Sequence, residues 1–138
     1  MKARTKHWID SADYDWRVAH HMLKSRSYIY VLFLCHLTIE KLLKACLVEF
    51  TPREIPPKIH VLPQIAEKAG MLAEIPDQFQ SLLAELTGLQ EKTRYALEPN
   101  APPSVYTREY TIQYLKRTEE LRKWLKLKLA SADSRASS

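Results

Sequence analysis

Residues 28–50, YIYVLFLCHLTIEKLLKACLVEF, form the most hydrophobic stretch of the chain. The stretch is too long for one strand and contains no proline or glycine, so it predicts a continuous helix. Apolar side chains lie on nearly every side of that helix. A helix of this kind is buried, and we therefore expect it to be a central element surrounded by other helices.

The polar exceptions within this helix recur every four residues, at His36, Glu40 and Lys44. This spacing places the three side chains in one stripe along an otherwise buried element. Burying a charge without a partner is costly. We therefore expect the stripe to face a cleft, a partner chain or a compensating charge.

Four further helices are predicted around the central one. An amphipathic helix spans about 7–25, because apolar residues recur there at alternating spacings of three and four. A short helix is predicted at about 61–69. It follows a connection that contains three prolines, and a glycine ends it. The last two helices are predicted at about 76–95 and 107–129. The predicted fold class is all-α.

Composition limits the chain to one domain and narrows its class. It has 138 residues, a net charge of +5 and only 2 glycines, which argues against a turn-rich β fold. The positive charge is concentrated in residues 1–6 and 107–129. We predict a basic N-terminal arm at 1–6, a helical domain at 7–129 and a disordered tail at 130–138. The two basic ends favour either a polyanionic ligand or simply solvated surfaces.

No segment has the length of a membrane span or the pattern of a signal peptide, so a cytoplasmic location without membrane attachment is expected. The chain has no Cys/His pairs at metal-binding spacing and no glycine-rich phosphate loop, so neither a metal nor a cofactor is predicted. His60 precedes the short third helix. We interpret it as a residue that tethers a loop through hydrogen bonds of its ring.

The candidate functional residues lie on two helices. Glu40, Lys41 and Lys44 lie on the central helix, and Arg94 and Tyr95 lie at the end of the fourth. A carboxylate and an arginine on two buried helices predict an internal ion pair. The planar guanidinium can bind a carboxylate and keep donors free for a phosphate. The alternative is a buried salt bridge that only sets the register of the helices.

Several segments resemble, in order, the landmarks of the HEPN family (higher eukaryotes and prokaryotes nucleotide-binding domains). The central HLTIEKLLKA of residues 36–45 is similar to that family's Glu-Lys-x-x-Lys-Ala signature. Residues 13–19, DYDWRVA, resemble its first helix, and residues 58–62, KIHVL, resemble the His-x-Leu start of its third. Thr93-Arg94-Tyr95 is similar to the Arg-Tyr end of its fourth helix. The resemblance covers about residues 7–129.

The resemblance implies a five-helix up-and-down bundle, with a long central hydrophobic helix, that often forms a homodimer. Many HEPN proteins are encoded beside a minimal nucleotidyltransferase, in several cases as a toxin–antitoxin pair. Many are metal-independent RNases in which an arginine is followed four to six residues later by a histidine. Here residues 95–101 read YALEPNA, so Arg94 has no such histidine.

The first hypothesis is a non-catalytic HEPN-like module that binds a nucleotide, a nucleotidyltransferase partner or both. The candidate binding residues are Glu40, Lys41, Lys44, Arg94 and Tyr95. In this interpretation Arg94 and Lys44 hold a phosphate or a partner carboxylate, and Glu40 orients Arg94.

Two alternatives remain. The chain could be an endoribonuclease toxin that binds RNA and needs no metal. Arg94 would then hold the phosphate, and His36 would replace the missing histidine in proton transfer. It could also be a homodimeric helical scaffold whose polar stripe lies in the interface.

Overall fold

The structure is a computed structural model that describes residues 1–95 and 105–137, with only the backbone of Tyr95 and of residues 134–137. The described residues form helices and contain no strand, which confirms the all-α prediction. The α-helices are α1 (Ala3–Lys24), α2 (Tyr28–Phe50), α3 (Leu62–Lys68), α4 (Asp77–Tyr95) and α5 (Arg108–Ser137). A 3₁₀ turn at Leu72–Glu74 separates α3 from α4.

Helix α2 lies at the centre of the bundle and packs against the four other α-helices. Its side chains Ile39, Leu42, Leu43 and Leu47 are completely buried. Each buried side chain of this size stabilises the fold by roughly 1.5–3 kcal/mol, so α2 supplies much of the core. The prediction of a central helix is confirmed. In the described part of the chain, no helix is long and apolar enough to cross a membrane.

The N-terminal residues join the bundle instead of forming the separate arm predicted for 1–6, because α1 already begins within them. Thr5 is fully buried and donates a hydrogen bond to Glu49 Oε1 at 2.8 Å. The ammonium of Lys2 donates to the carbonyl of Val48 at 2.6 Å, near the end of α2. Carbonyls in the last turn of a helix lack intrahelical donors and attract cations, which accounts for this attachment.

The C-terminal helix also extends further than predicted. Helix α5 continues past residue 129 through most of the segment expected to be a disordered tail. Leu129 is buried, and Lys128 pairs with Glu74 and lies 5.5 Å from the centre of the Phe50 ring. The segment beyond contains no proline or glycine and three alanines among its residues, so helix propensity allows the continuation once these contacts hold its base.

The connection between α2 and α3 is held where it approaches α3. The backbone N–H of Leu62 donates to Thr87 Oγ1 of α4 at 3.1 Å. The His36 ring on α2 bonds the carbonyl of His60 at 2.9 Å. These two contacts place His60 between α2 and α4. Its position is therefore set by two helices and not by the connection alone.

Candidate functional site

The polar stripe of α2 is buried, and its charges are compensated inside the domain. His36, Glu40 and Lys44 are 1%, 4% and 6% exposed. The ammonium of Lys44 donates to Glu40 Oε2 at 3.0 Å and lies 5.8 Å from the centre of the Trp8 ring. A glutamate four residues before a lysine is the favourable order for a helical ion pair. The stripe is therefore an internally paired set of charges.

The second oxygen of Glu40 holds His60. The ring Nδ1–H of His60 donates to Glu40 Oε1 at 2.9 Å. The side chain of His60 is nevertheless 56% exposed, so the ring runs from the buried carboxylate to the surface. Within the described residues no hydrogen bond occupies its Nε2. The prediction that His60 tethers a loop through its ring is confirmed, and the tether leaves one ring nitrogen available.

His36 supports the same residue from below. Because a carbonyl can only accept, Nε2 of His36 is the donor in its 2.9 Å bond to the His60 carbonyl. Its Nδ1 lies 3.8 Å from Glu40 Oε1. Burial lowers the pKa of His36, which favours the neutral ring with its proton on Nε2. That proton is already used in the bond to the loop, so the structure gives His36 a structural position and does not favour its predicted role in proton transfer.

Two adjoining cavities open beside His60. The outer cavity has a volume of about 720 Å³, and the inner one about 200 Å³. Both are lined by His60, Gln90 and Arg94, so these side chains form the wall that the cavities share. Ligand pockets usually measure about 300–1,000 Å³, so the outer cavity is large enough for a mononucleotide.

The outer cavity is rich in positive charge. Its lining includes Lys58, Lys92 and Arg94, against the single acidic residue Glu91. Ile59 and Val61 add apolar surface. Apolar walls with a few convergent polar groups are typical of small-molecule sites, and the excess of cations favours an anionic ligand.

Comparison with known families identifies the domain that carries this site. The sequence profile of the HEPN domain matches residues 5–128. The chain belongs to the HEPN domain family. The corresponding comparisons found no matching curated protein and no matching solved structure.

The predicted binding residues of this HEPN domain do not all converge. The ion pair expected between Glu40 and Arg94 does not form in the described structure, because Lys44 and His60 occupy the two carboxylate oxygens. Arg94 is exposed and lines both cavities. Lys44 lies beneath the site as the partner of Glu40 and is not part of either lining.

Lys41 and Tyr95 are the two remaining predicted binding residues. Lys41 turns towards α1, where its ammonium lies 2.7 Å from Asp15 Oδ2 and donates to Ser11 Oγ at 2.7 Å. It therefore ties α1 and α2 together and does not line either cavity. The side chain of Tyr95 lies outside the described residues.

The HEPN site also contains residues that the sequence did not single out for binding. His60 contributes a ring nitrogen, Lys58 and Lys92 contribute charge, and Gln90 contributes an amide. The signal for His60 was indirect. A buried Glu40 needs a second partner, and a histidine in a segment that resembles the start of the third HEPN helix was available to provide it.

A second carboxylate network lies at the α4–α5 contact of the HEPN bundle, away from the cavity lining. Glu85 accepts two bonds from the Arg117 guanidinium, at 2.6 and 3.1 Å, and one from the Tyr114 hydroxyl at 2.9 Å. The hydrogen bonds from Arg117 hold the pKa of Glu85 below its ordinary value. Burial and the neighbouring Glu85 raise the pKa of Tyr114. The network joins the two helices and contributes no group to the cavities.

Proposed function

We propose that this HEPN domain binds a nucleotide through its phosphate, without catalysis, in the outer cavity beside Arg94. One observation carries the proposal. A cavity of mononucleotide size is lined by Lys58, Lys92 and Arg94, together with a histidine whose ring is held by a buried carboxylate. A guanidinium presents a planar set of donors that matches two phosphate oxygens, whereas an ammonium acts as a point charge.

The remaining lining suits the rest of a nucleotide. Ile59 and Val61 provide apolar surface for a base or a ribose ring. Gln64, Thr87 and Gln90 provide amide and hydroxyl groups that can bond polar atoms of the ligand. Thr87 already donates to the Leu83 carbonyl and accepts from the Leu62 N–H, so the two glutamines are the freer groups.

Thermal unfolding with a panel of nucleoside mono-, di- and triphosphates tests the proposal. A ligand present at roughly 100 times its dissociation constant stabilises the native state by about 2.7 kcal/mol. For a domain of this size, the melting temperature is then expected to rise by several degrees. Arg94→Ala is expected to abolish that rise, because it removes the only guanidinium in the described lining.

The matched control is Arg53→Ala, which removes an exposed arginine from the α2–α3 connection outside both cavity linings. It is expected to keep the full nucleotide response. The proposal is wrong if no nucleotide raises the melting temperature of the wild type. It is also wrong if Arg94→Ala and Arg53→Ala respond equally.

One observation favours RNA cleavage as a second candidate. His60 lines the same cavities as Arg94, although no histidine follows Arg94 in the sequence within the expected interval. In an endoribonuclease, Arg94 would hold the scissile phosphate and His60, in place of His36, would take the proton of the 2′-hydroxyl. Cleavage of labelled RNA in EDTA that disappears in both Arg94→Ala and His60→Asn would support it. Cleavage that survives either change would reject it.

We propose a homodimer as the assembly of the domain, as the family resemblance implies. Tyr30, Phe33, Leu34 and Leu37 recur at helical spacing on α2 and stay partly or largely exposed. Phe33 and Leu37 also line the inner cavity, so this face of α2 borders the site. A second copy would cover apolar surface that a monomer leaves in water.

Light scattering during gel filtration measures the assembly directly. The wild type is expected at twice the mass of the chain, and Leu37→Glu is expected to shift it to the monomer. A monomeric wild type at micromolar concentration would contradict the proposal.

A nucleotidyltransferase partner is a separate proposal that rests on the resemblance alone. Co-purification from a strain that expresses both proteins tests it, and the cellular role as a toxin–antitoxin pair depends on that result.

A further inference from the structure

We propose that His60, positioned by Glu40, is a ligand of the bound phosphate and makes the site select a terminal phosphate over a phosphodiester. This inference rests on the proposed nucleotide site. It adds a second phosphate ligand, His60 of the α2–α3 connection, to the Arg94 that α4 contributes to the same cavity lining. It also names the ligand class, which is a nucleotide bearing a phosphomonoester.

The ring of His60 is held in one orientation by contacts with α2. Glu40 Oε1 holds Nδ1 at 2.9 Å, and the carbonyl of His60 is held by His36 at 2.9 Å. Ring and backbone are thus fixed from the same helix, α2. A donor that is already oriented loses little conformational entropy on binding, so it is well suited to an anion.

Both ring nitrogens of His60 act as donors when a phosphate binds. A carboxylate only accepts, so Nδ1 of His60 carries a proton. A phosphate oxygen at Nε2 also needs a proton there, and the ring that satisfies both sides is the imidazolium. The carboxylate of Glu40 on one side and the phosphate on the other then each accept a hydrogen bond between charged groups. Lys44 keeps Glu40 paired, so the carboxylate stays in place while the ligand binds.

The charge of the cavity lining favours a ligand with two negative charges. A phosphomonoester carries nearly two negative charges at neutral pH, whereas a phosphodiester carries one. The described lining has Lys58, Lys92, Arg94 and His60 against Glu91 alone. Hydrogen bonds between two charged groups are the strong ones. A site with this excess of cations therefore gains more from the dianion than from the monoanion.

Isothermal titration with adenosine 5′-monophosphate and adenosine 3′,5′-cyclic monophosphate tests the inference, because the two ligands share base and sugar. We expect the wild type to bind the monoester roughly tenfold more tightly, which corresponds to about 1.4 kcal/mol. His60→Asn keeps a short amide that can donate to Glu40 but removes the outer nitrogen. It is expected to reduce the preference to about twofold or less, mainly by weakening the monoester, if one charged hydrogen bond is responsible.

Glu40→Gln tests the positioning role. The amide oxygen can still accept from the ring, but the negative charge of the acceptor is gone, so the hydrogen bond that orients His60 is weaker. Its preference for the monoester is expected to fall between those of the wild type and His60→Asn. A merely structural role would weaken both ligands alike and leave their ratio unchanged. The matched control is His21→Asn, at an exposed histidine of α1, which is expected to leave both affinities unchanged.

The outcomes separate this inference from the proposed function. If neither ligand binds the wild type, the nucleotide site and this inference both fail. If both ligands bind with equal affinity and depend on Arg94, the nucleotide site stands and the selection by His60 is wrong. An unchanged preference in His60→Asn would also overturn it.

Discussion

The domain contains two carboxylates with nearly the same bonding, Glu40 on α2 and Glu85 on α4. Each accepts a hydrogen bond from a cation, Lys44 at 3.0 Å or Arg117 at 2.6 Å, and each has a further partner. Their surroundings differ. The side chain of Glu40 is 6% exposed, whereas that of Glu85 is 40% exposed. Similar geometry therefore occurs in two different dielectric environments.

The difference shows that burial, more than hydrogen-bond length, sets what a charged network does. Water can replace the partners of Glu85 if they are lost, and an exposed ion pair contributes little to stability. No water reaches Glu40 as readily, so each of its oxygens depends on a partner within the protein. That dependence is what fixes His60 at the edge of the cavity. The buried network positions a functional group, and the exposed one only joins two helices.

The largest effect is expected from Glu40→Ala. It leaves the Lys44 ammonium buried without its carboxylate, and breaking a buried pair in this way costs about 3–5 kcal/mol. The free energy of unfolding, measured by urea denaturation, is expected to fall by that amount. In the double variant Glu40→Leu/Lys44→Met both charges are replaced by apolar groups, and much of the loss is expected to be recovered. A loss below about 1 kcal/mol for Glu40→Ala would show that the network is as weak as an exposed one.

A smaller effect is expected from the pH dependence of His36. Burial lowers the pKa of His36 in the folded state, so the unfolded chain binds its proton more readily. The contribution of His36 to stability is therefore complete above the ordinary pKa of histidine, about 6.5, and declines as the pH falls towards the lower folded value.

Urea denaturation of the wild type and of His36→Gln between pH 8 and pH 5 checks this, where the glutamine amide can still donate to the His60 carbonyl. The stability of the variant is expected to decline less on acidification. Parallel curves for the two proteins would contradict the assignment.

The smallest effect is expected at the exposed network. Glu85→Gln is expected to cost no more than about 1 kcal/mol at low salt and less at 1 M NaCl, since salt screens exposed charges. The hydrogen bonds from Arg117 lower the pKa of Glu85, so its contribution is present above the ordinary pKa of about 4.3 and is lost as the pH falls through the folded value. Urea denaturation at low salt and at 1 M NaCl measures the salt effect, and denaturation at pH values above and below about 4.3 measures the pH effect. A cost equal to that of Glu40→Ala would mean that burial does not distinguish the two sites.

Much of the fold was predictable because it follows from local patterns. The uninterrupted apolar stretch of α2 predicts a central helix, and alternating spacings of three and four predict α1. The ends of α1 and α5 were predicted less well. Their extensions depend on contacts with other helices, such as Lys2 with the end of α2 and Lys128 with Glu74. No pattern within residues 1–6 or 130–138 contains that information.

The candidate site was predictable only in part, for the same reason. Spacing of four residues placed Glu40 and Lys44 on one face, and in the structure the two side chains pair with each other. The spacing could not show which residue binds the other oxygen of Glu40, because His60 reaches that oxygen from the α2–α3 connection. The predicted partner, Arg94, faces the cavities instead.

The amino-acid sequence alone determined the periodicity of the helices, the central apolar segment and the polar stripe whose charges need partners. Each of these features depends on residues that are only a few positions apart. The partners of that stripe outside α2 and the chemistry of the cavity were settled by packing, because they join groups that are 20 or more positions apart. A buried carboxylate must be paired, but the sequence leaves several candidates. Only the arrangement of α2, α3 and α4 brings His60 to Glu40 and leaves Arg94 at the surface.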